Sequence, residues 1–497
     1  MKKSSTDQPI AIVGAGFAGL AMAIELLKVG IEEFVIFEMA DEVGGTWRDN
    51  IYPGCACDVP SHFYSFSFEP NPGWSCTYSP QEEIQEYILR VAEKYSLYDY
   101  IRFNTEIRGA KYDEERCFWT LRSAGGEEFE ARAVVMGVGG LSRPKIPELD
   151  GLDDFGGDLF HSAQWEEEVE LAGKRVAVVG TGASAVQLVP AIVDEVEALT
   201  VYQRTPPWVI PRRDWTYPES VKQLFERFPT VHQLFRYLIY LRNEALGVGF
   251  VTEPRLMELF SMWSKRHARA VFDDPAMIEA VTPDYLMGCK RVVFSEIYYP
   301  ALARDHVELV PHGVERLTEK GAVDATGEER AFDVIVMATG FHVTDFLSYF
   351  EVIGRGGVDL NEAWREGAEA YLGVAVSRFP NLFIMVGPNT ALGHNSIIYM
   401  IECQAHLIRQ CIEAMDEGGA DAIEVRPAVH REFNEQLQER LAETVWNTGC
   451  QSWYLDESGK NTTIWPGYTF EYWLRTRRLN RDHFRLSWRG EHATTEA

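Results

Sequence analysis

The chain has 497 residues, 46% hydrophobic and 25% charged, the balance of a soluble protein too long for one core, so two or three domains are expected. Its formal charge of −28 excludes a nucleic-acid surface, whose phosphates need cations, and a dock on anionic lipid. Eight cysteines in this length make no disulfide scaffold; Cys55 and Cys57 form a C-x-C, but there is no CxxC and no zinc-type set, so no metal is expected. Residues 1–9 are polar and lack a signal-peptide core. Residues 238–251 are the most lipid-like stretch, but Arg242, Asn243 and Glu244 interrupt them and they are too short to span a bilayer. A soluble, cytoplasmic chain is expected.

The first predicted strand, Ile10–Val13, runs into Gly14-Ala15-Gly16-Phe17-Ala18-Gly19 and then a helical pattern. This strand–turn–helix with GxGxxG is a dinucleotide fingerprint. The next strand, Phe34–Phe37, ends on Glu38, 19 residues after Gly19, where an acid can accept hydrogen bonds from an adenosine ribose. Residues 44–58, GGTWRDNIYPGCACD, follow; glycines beside Thr46 and Trp47 allow close approach to a flavin, and the indole offers a flat wall. Residues 133–140 form a strand ending on glycines, read as the point where the chain leaves its first domain.

Residues 155–165, FGGDLFHSAQW, stand between the two halves, and His161 is read as a structural or conformational linker. A second strand at 176–179 opens Gly180-Thr181-Gly182-Ala183-Ser184-Ala185, so two dinucleotides are bound at once and electrons pass between them. Its partner strand at 199–202 ends on Gln203-Arg204-Thr205, and a cation there suits a 2′-phosphate, favouring NADP over NAD. Residues 216–280 are helix-like and rich in aromatics and arginine, an insertion that either caps an active site or is purely structural. Gly288-Cys289-Lys290-Arg291 places two adjacent cations near the second nucleotide unit, and the strand at 333–341 reads as the return crossing. The expected fold class is α/β, two Rossmann-like dinucleotide domains with a helical insertion in the second. The boundaries are 1–141 and 341–497 for the FAD domain, 142–215 and 281–340 for the NADP domain, and 216–280 for the insertion. The tail from about Glu491 reads as disordered.

Together these segments resemble the type I Baeyer–Villiger monooxygenases. Residues 44–58 match the family's [A/G]GxWxxxx[F/Y]P[G/M]xxxD and residues 155–165 its FxGxxxHxxxW at every fixed position, and the likeness covers roughly residues 9–475. Two departures stand out: Glu166 follows Trp165 where Pro or Asp is usual, and Ala185 closes the second fingerprint where Gly is common. Gly387-Pro388-Asn389-Thr390 and Gly393-His394-Asn395-Ser396 are similar to the branch oxygenating aryl and aliphatic ketones.

The resemblance implies FAD, NADPH, O2 and a small ketone as the reactants. It implies an ester or lactone formed through a C4a-peroxyflavin and a Criegee adduct, with sulfoxidation as a side activity. Arg291 would stabilise the anionic oxygen species and Asp58 would orient it. FAD would touch Gly14, Gly16, Phe17, Ala18, Gly19, Glu38, Gly45, Thr46, Trp47, Cys57, Asp58, Tyr64 and Ile107. NADP would touch Gly180, Thr181, Gly182, Ala183, Ser184, Arg204, Thr205, Lys290, Arg291 and Trp453, the last on a mobile C-terminal loop. The nearest rival, an N- or S-oxygenating flavin monooxygenase, shares both fingerprints, but its histidine linker usually ends in Phe or Tyr. A flavin disulfide reductase would need a CxxC or C-x4-C, which is missing, and a non-enzymatic NADPH sensor would oxidise NADPH independently of ketone.

Overall fold

The computed structural model describes residues 8–344, 347–450 and 452–490. The polar start of the chain and the tail from 491, read above as disordered, lie outside the described residues. Two five-stranded parallel sheets organise the molecule. In the first the order is Leu382–Ile384, Ala133–Met136, Ile10–Val13, Phe34–Phe37, Ile101–Arg102. Ile10–Val13 is central and buried on both faces, which is why IAIV carries no polar alternation. Helix α1, Phe17–Leu27, packs between this sheet and a long helix, 397–418.

The second sheet repeats the plan: Val307–Val310, Ala198–Tyr202, Arg175–Val179, Val334–Met337, Asp158–His161, with helix α2, Ala183–Ile192, leading from the central strand. The two chain crossings run side by side. Pro144 bridges Phe341, Lys145 N–H donates to the Gly340 carbonyl at 2.8 Å, and Thr339 Oγ1 donates to the Lys145 carbonyl at 2.6 Å. His161 ends its strand at this junction, buried, its ring edge-on to Phe341 and its Nδ1 accepting from Ala163 N–H. Burial pushes its imidazole below the ordinary range.

Residues 219–280 form helices α3 (Glu219–Arg227), α4 (Pro229–Val251) and α5 (Leu256–Val271), then a short helix Pro275–Ala280. Helix α4 turns polar groups inward. The buried Arg236 guanidinium donates to the carbonyls of His62 and Ser65 and to Ser65 Oγ, and His62 Nδ1 meets His232 Nε2 at 2.8 Å. The helical segment thereby clamps the turn Ser61–Phe63, the residues leading into Tyr64. Among the described residues no helix is long and apolar enough to cross a membrane, and no cluster of His, Cys, Asp and Glu could hold a metal ion.

Candidate active site

Each fingerprint leaves one glycine bare toward a nucleotide. At Gly14, φ +100° and a Cβ 2.7 Å from the Gly137 carbonyl admit only glycine, and a Cβ on Gly19 would overlap the Gly14 carbonyl. A Cβ on Gly16 would meet nothing closer than 3.7 Å, so the space at the N-terminus of α1 stays open, as a pyrophosphate requires. Phe17 and Ala18, in the first turn, are buried on the protein side. The second unit follows the same rule. Gly180 (φ +113°) is pressed against the Ala338 carbonyl, while Gly182 at the start of α2 has open space where a side chain would stand.

Around the first mouth, Gly44 and Gly45 take positive φ and lay the one-turn helix Thr46–Asp49 against Gly16. Trp47 Nε1 donates to Tyr64 Oη at 3.1 Å, and both rings meet edge to face. Glu38 is buried, accepts from the N–H groups of Ala15 (2.8 Å) and Ala40 (3.1 Å), and pairs with Arg48 at 3.0 Å. Arg48 escaped the sequence reading. Ile107 opens the strand Ile107–Asp113 with its side chain in the hydrophobic core, so only its backbone is left to meet a nucleotide.

At the second mouth, Thr181 Oγ1 donates to the Thr205 carbonyl at 3.0 Å, tying the loop to the residues after Arg204. Arg204 is exposed, and Lys290 lies over the Tyr285 ring at 4.9 Å. Burial and then the nearby Arg204 charge push the Lys290 ammonium below its ordinary pKa.

The mouths are joined by a contact no local pattern foretold. Gln187 on α2 accepts from Tyr52 Oη at 2.8 Å and donates to the Ala56 carbonyl at 2.9 Å, and the bare Gly54 lets the 52–56 loop seat on the Gln187 carbonyl. Ser184 also faces Tyr52. Where these pieces meet, Arg291 Nη2 lies 3.4 Å from Asp58 Oδ2. The Asp58 side chain is 7% exposed and that of Arg291 41%, so the arginine rests on a buried carboxylate. Burial works to lower the pKa of Arg291, but Asp58, then Tyr454 and Cys57, outweigh it and the net direction is upward. Burial drives the Cys57 thiol and Tyr64 phenol far above their usual ranges, so both stay neutral beside the guanidinium.

Two findings add to the reading of the C-terminal loop. Trp453 is 42% exposed and packs on Tyr454; it is the buried Tyr454, its phenol pushed up to about 12 by burial, that faces Arg291. Cys289, two residues before Arg291, is disulfide-bonded to Cys450, so the segment bearing both cations is tied to the loop bearing Tyr454. Cysteine spacing gave no sign of that pair. Behind the loop, Glu244 on α4 accepts from Asn395 and Thr469, with His394 Nε2 at 3.7 Å. Burial works against its charge, but the nearby His394 and hydrogen bonds from Thr469 and Asn395 hold the carboxyl below the usual range. A cavity of about 540 Å³ opens elsewhere, between α1, α4 and the helix 397–418, and none of the fingerprint glycines lines it.

The arrangement defines a two-nucleotide oxidoreductase, and comparison with known proteins agrees. The profile of the flavin-binding monooxygenase-like family matches residues 7–239. A Baeyer–Villiger monooxygenase of Pseudomonas aeruginosa is 46% identical over 96% of this chain and 91% of its own length, and one of Streptomyces coelicolor is 45% identical over 95% and 91%. Among solved structures, an oxidised steroid monooxygenase bound to NADP superposes with TM-score 0.86 at 32% identity, covering 97% of this chain and all of its own. A cyclohexanone monooxygenase from Rhodococcus sp. Phi1 bound to NADP+ gives 0.87 at 28% identity, covering 97% and 99%. The chain belongs to the flavin-binding monooxygenases and, within them, to the Baeyer–Villiger monooxygenases.

Proposed function

We propose that this chain uses NADPH and O2 to insert one oxygen atom beside a ketone carbonyl, giving an ester or lactone, with Arg291 as the catalytic cation and Asp58 as its positioning partner. The observation that carries this is the Arg291–Asp58 pair, 3.4 Å apart, a partly exposed arginine held on a buried carboxylate that closes the GGTWRDNIYPGCACD segment. FAD, when bound, supplies the hydride acceptor and the activation of oxygen.

The chain's own residues do the rest. Gly14, Gly16 and Gly19 with the start of α1 take the FAD pyrophosphate, and Glu38 with Arg48 is placed for the adenosine ribose. Trp47 and Tyr64, locked to one another, wall the ring side. Gly180, Gly182, Ala183 and Ser184 take the NADPH pyrophosphate, with Arg204, Thr205 and Lys290 at its 2′-phosphate. Arg291 holds charge in a half-dry site, where a fixed donor stabilises oxyanions that develop as the ketone is attacked; loss of such a donor typically costs about 100- to 1000-fold. Asp58 fixes the guanidinium without neutralising its outward face. Tyr454 and Trp453 close that corner when the C-terminal loop is seated.

We place the reaction in the cytoplasm, with no nucleic-acid or membrane partner, on the strength of the acidic, polar composition. In that reducing setting the Cys289–Cys450 pair stands in exchange with its dithiol. The test is a panel of cyclic, linear and aryl ketones, followed by ketone-dependent NADPH consumption and product mass. Esters or lactones support the reading; only sulfoxides and N-oxides, from every compound tried, would assign the chain to the N- and S-oxygenating branch instead.

A further inference from the structure

Helix α4 is built inside out. His232, Arg236, Asn243 and Glu244 are buried against the body of the protein, while the opposite face carries hydrocarbon to solvent. Val231, Leu234, Leu238, Leu241, Ala245 and Val248 are all exposed, the five larger ones to between 36% and 57%. Their spacing is 3, 4, 3, 4, 3, the a/d seam of a helix that packs against another helix by knobs into holes. Scattered surface leucines need no explanation, but an unbroken seam along one face does.

We propose that this seam is covered by the same seam of a second copy of the chain, α4 pairing antiparallel with α4 across a two-fold axis between residues 239 and 240. Three observations select that occupant. The seam is complementary to its own reverse: Val231 falls opposite Val248, Leu234 opposite the small Ala245, and Leu238 opposite Leu241, so each layer fills with one kind of pair. Charge permits the contact. The chain as a whole carries −28, yet residues 216–280 hold eight acidic and eight basic side chains, so this neutral face is where two acidic molecules can meet. Area permits a small, dissociable contact: the six seam residues with the neighbouring Tyr237 expose a surface on the order of 500 Å², so two copies reach the lower end of specific interfaces.

The test is sedimentation velocity on the FAD-loaded protein between roughly 1 and 100 μM, a range suited to the micromolar affinities of such interfaces. The expected species has twice the 56.5 kDa mass of the chain. Leu238→Glu with Leu241→Glu should weaken association at least about 100-fold, with flavin absorbance and helical circular dichroism unchanged because both side chains are exposed. Mixing that variant with Leu238→Lys/Leu241→Lys should restore a dimer, since each position faces the other across the axis. A wild-type protein that stays monomeric throughout, an association untouched by the glutamates, or no recovery on mixing overturns the proposal. Co-flotation with phosphatidylcholine vesicles that the glutamates abolish, without any dimer, would assign the seam to lipid instead.

Discussion

Asp58 Oδ2 and Arg291 Nη2 stand 3.4 Å apart although 233 residues separate them in sequence, and the carboxylate is far more buried than the cation it holds. A buried anion under a half-open guanidinium fixes the direction of the positive charge more than its existence, because arginine is ionised regardless. Asp58→Asn keeps the shape and removes the anchoring charge. It should lower kcat for ester formation about 10- to 100-fold while the KM for NADPH moves less than about threefold. Steady-state kinetics with an accepted ketone check this; a rise in KM with kcat intact would make Asp58 part of the nucleotide site only.

The cation pair Arg204 and Lys290 predicts coenzyme choice. Arg204→Ala and Lys290→Ala should each raise the KM for NADPH about 10- to 100-fold and leave that for NADH within about threefold. Equal changes for both coenzymes would remove the 2′-phosphate from the account.

Cys450→Ser cuts the tie between the Tyr454 loop and the segment carrying Lys290 and Arg291. FAD content should stay the same, while hydrogen peroxide released per NADPH consumed rises roughly two- to tenfold, because the corner over the guanidinium is held less often closed. Peroxide assay beside NADPH consumption reads the ratio, and an unchanged ratio would leave the bridge without influence on the site.

Acid stability should report the clamp under α4. Burial first, and then neighbouring positive charge, lower the pKa of His62 to about 3 and of His232 to about 4, from the ordinary 6.5; Arg236 acts on both. The unfolded chain therefore takes up protons before the folded one, so stability rises with pH between about 4 and 6.5 and is lost as pH falls through that window. Each imidazole should cost roughly 1–2 kcal/mol by pH 5. His232→Phe should show a smaller drop in Tm between pH 7.5 and pH 5 than wild type; equal drops would mean that neither ring is held neutral.

Both nucleotide units were legible in the sequence because their requirements are local. A buried parallel strand reads as an unbroken apolar run, and the tight turn and close helix demand glycine at set positions, as Gly14 and Gly19 show. What joins the units was not legible. Gln187 meets Tyr52 across 135 residues, and Cys289 meets Cys450 across 161, contacts that no period or spacing encodes. The inward turn of Tyr454 beside Trp453 was not legible either, because which of two adjacent aromatics turns inward depends on the loop's seat against Arg291. The orientation of helix α4 was not legible for a related reason: its polar face is turned inward onto the residues around Tyr64.

The most direct test of the central claim is product formation by Arg291→Ala in its FAD-loaded form. The account predicts that this variant still binds FAD and still oxidises NADPH, yet makes ester at least about 100-fold more slowly, with the electrons recovered as hydrogen peroxide. Ester produced at close to the wild-type rate would contradict it.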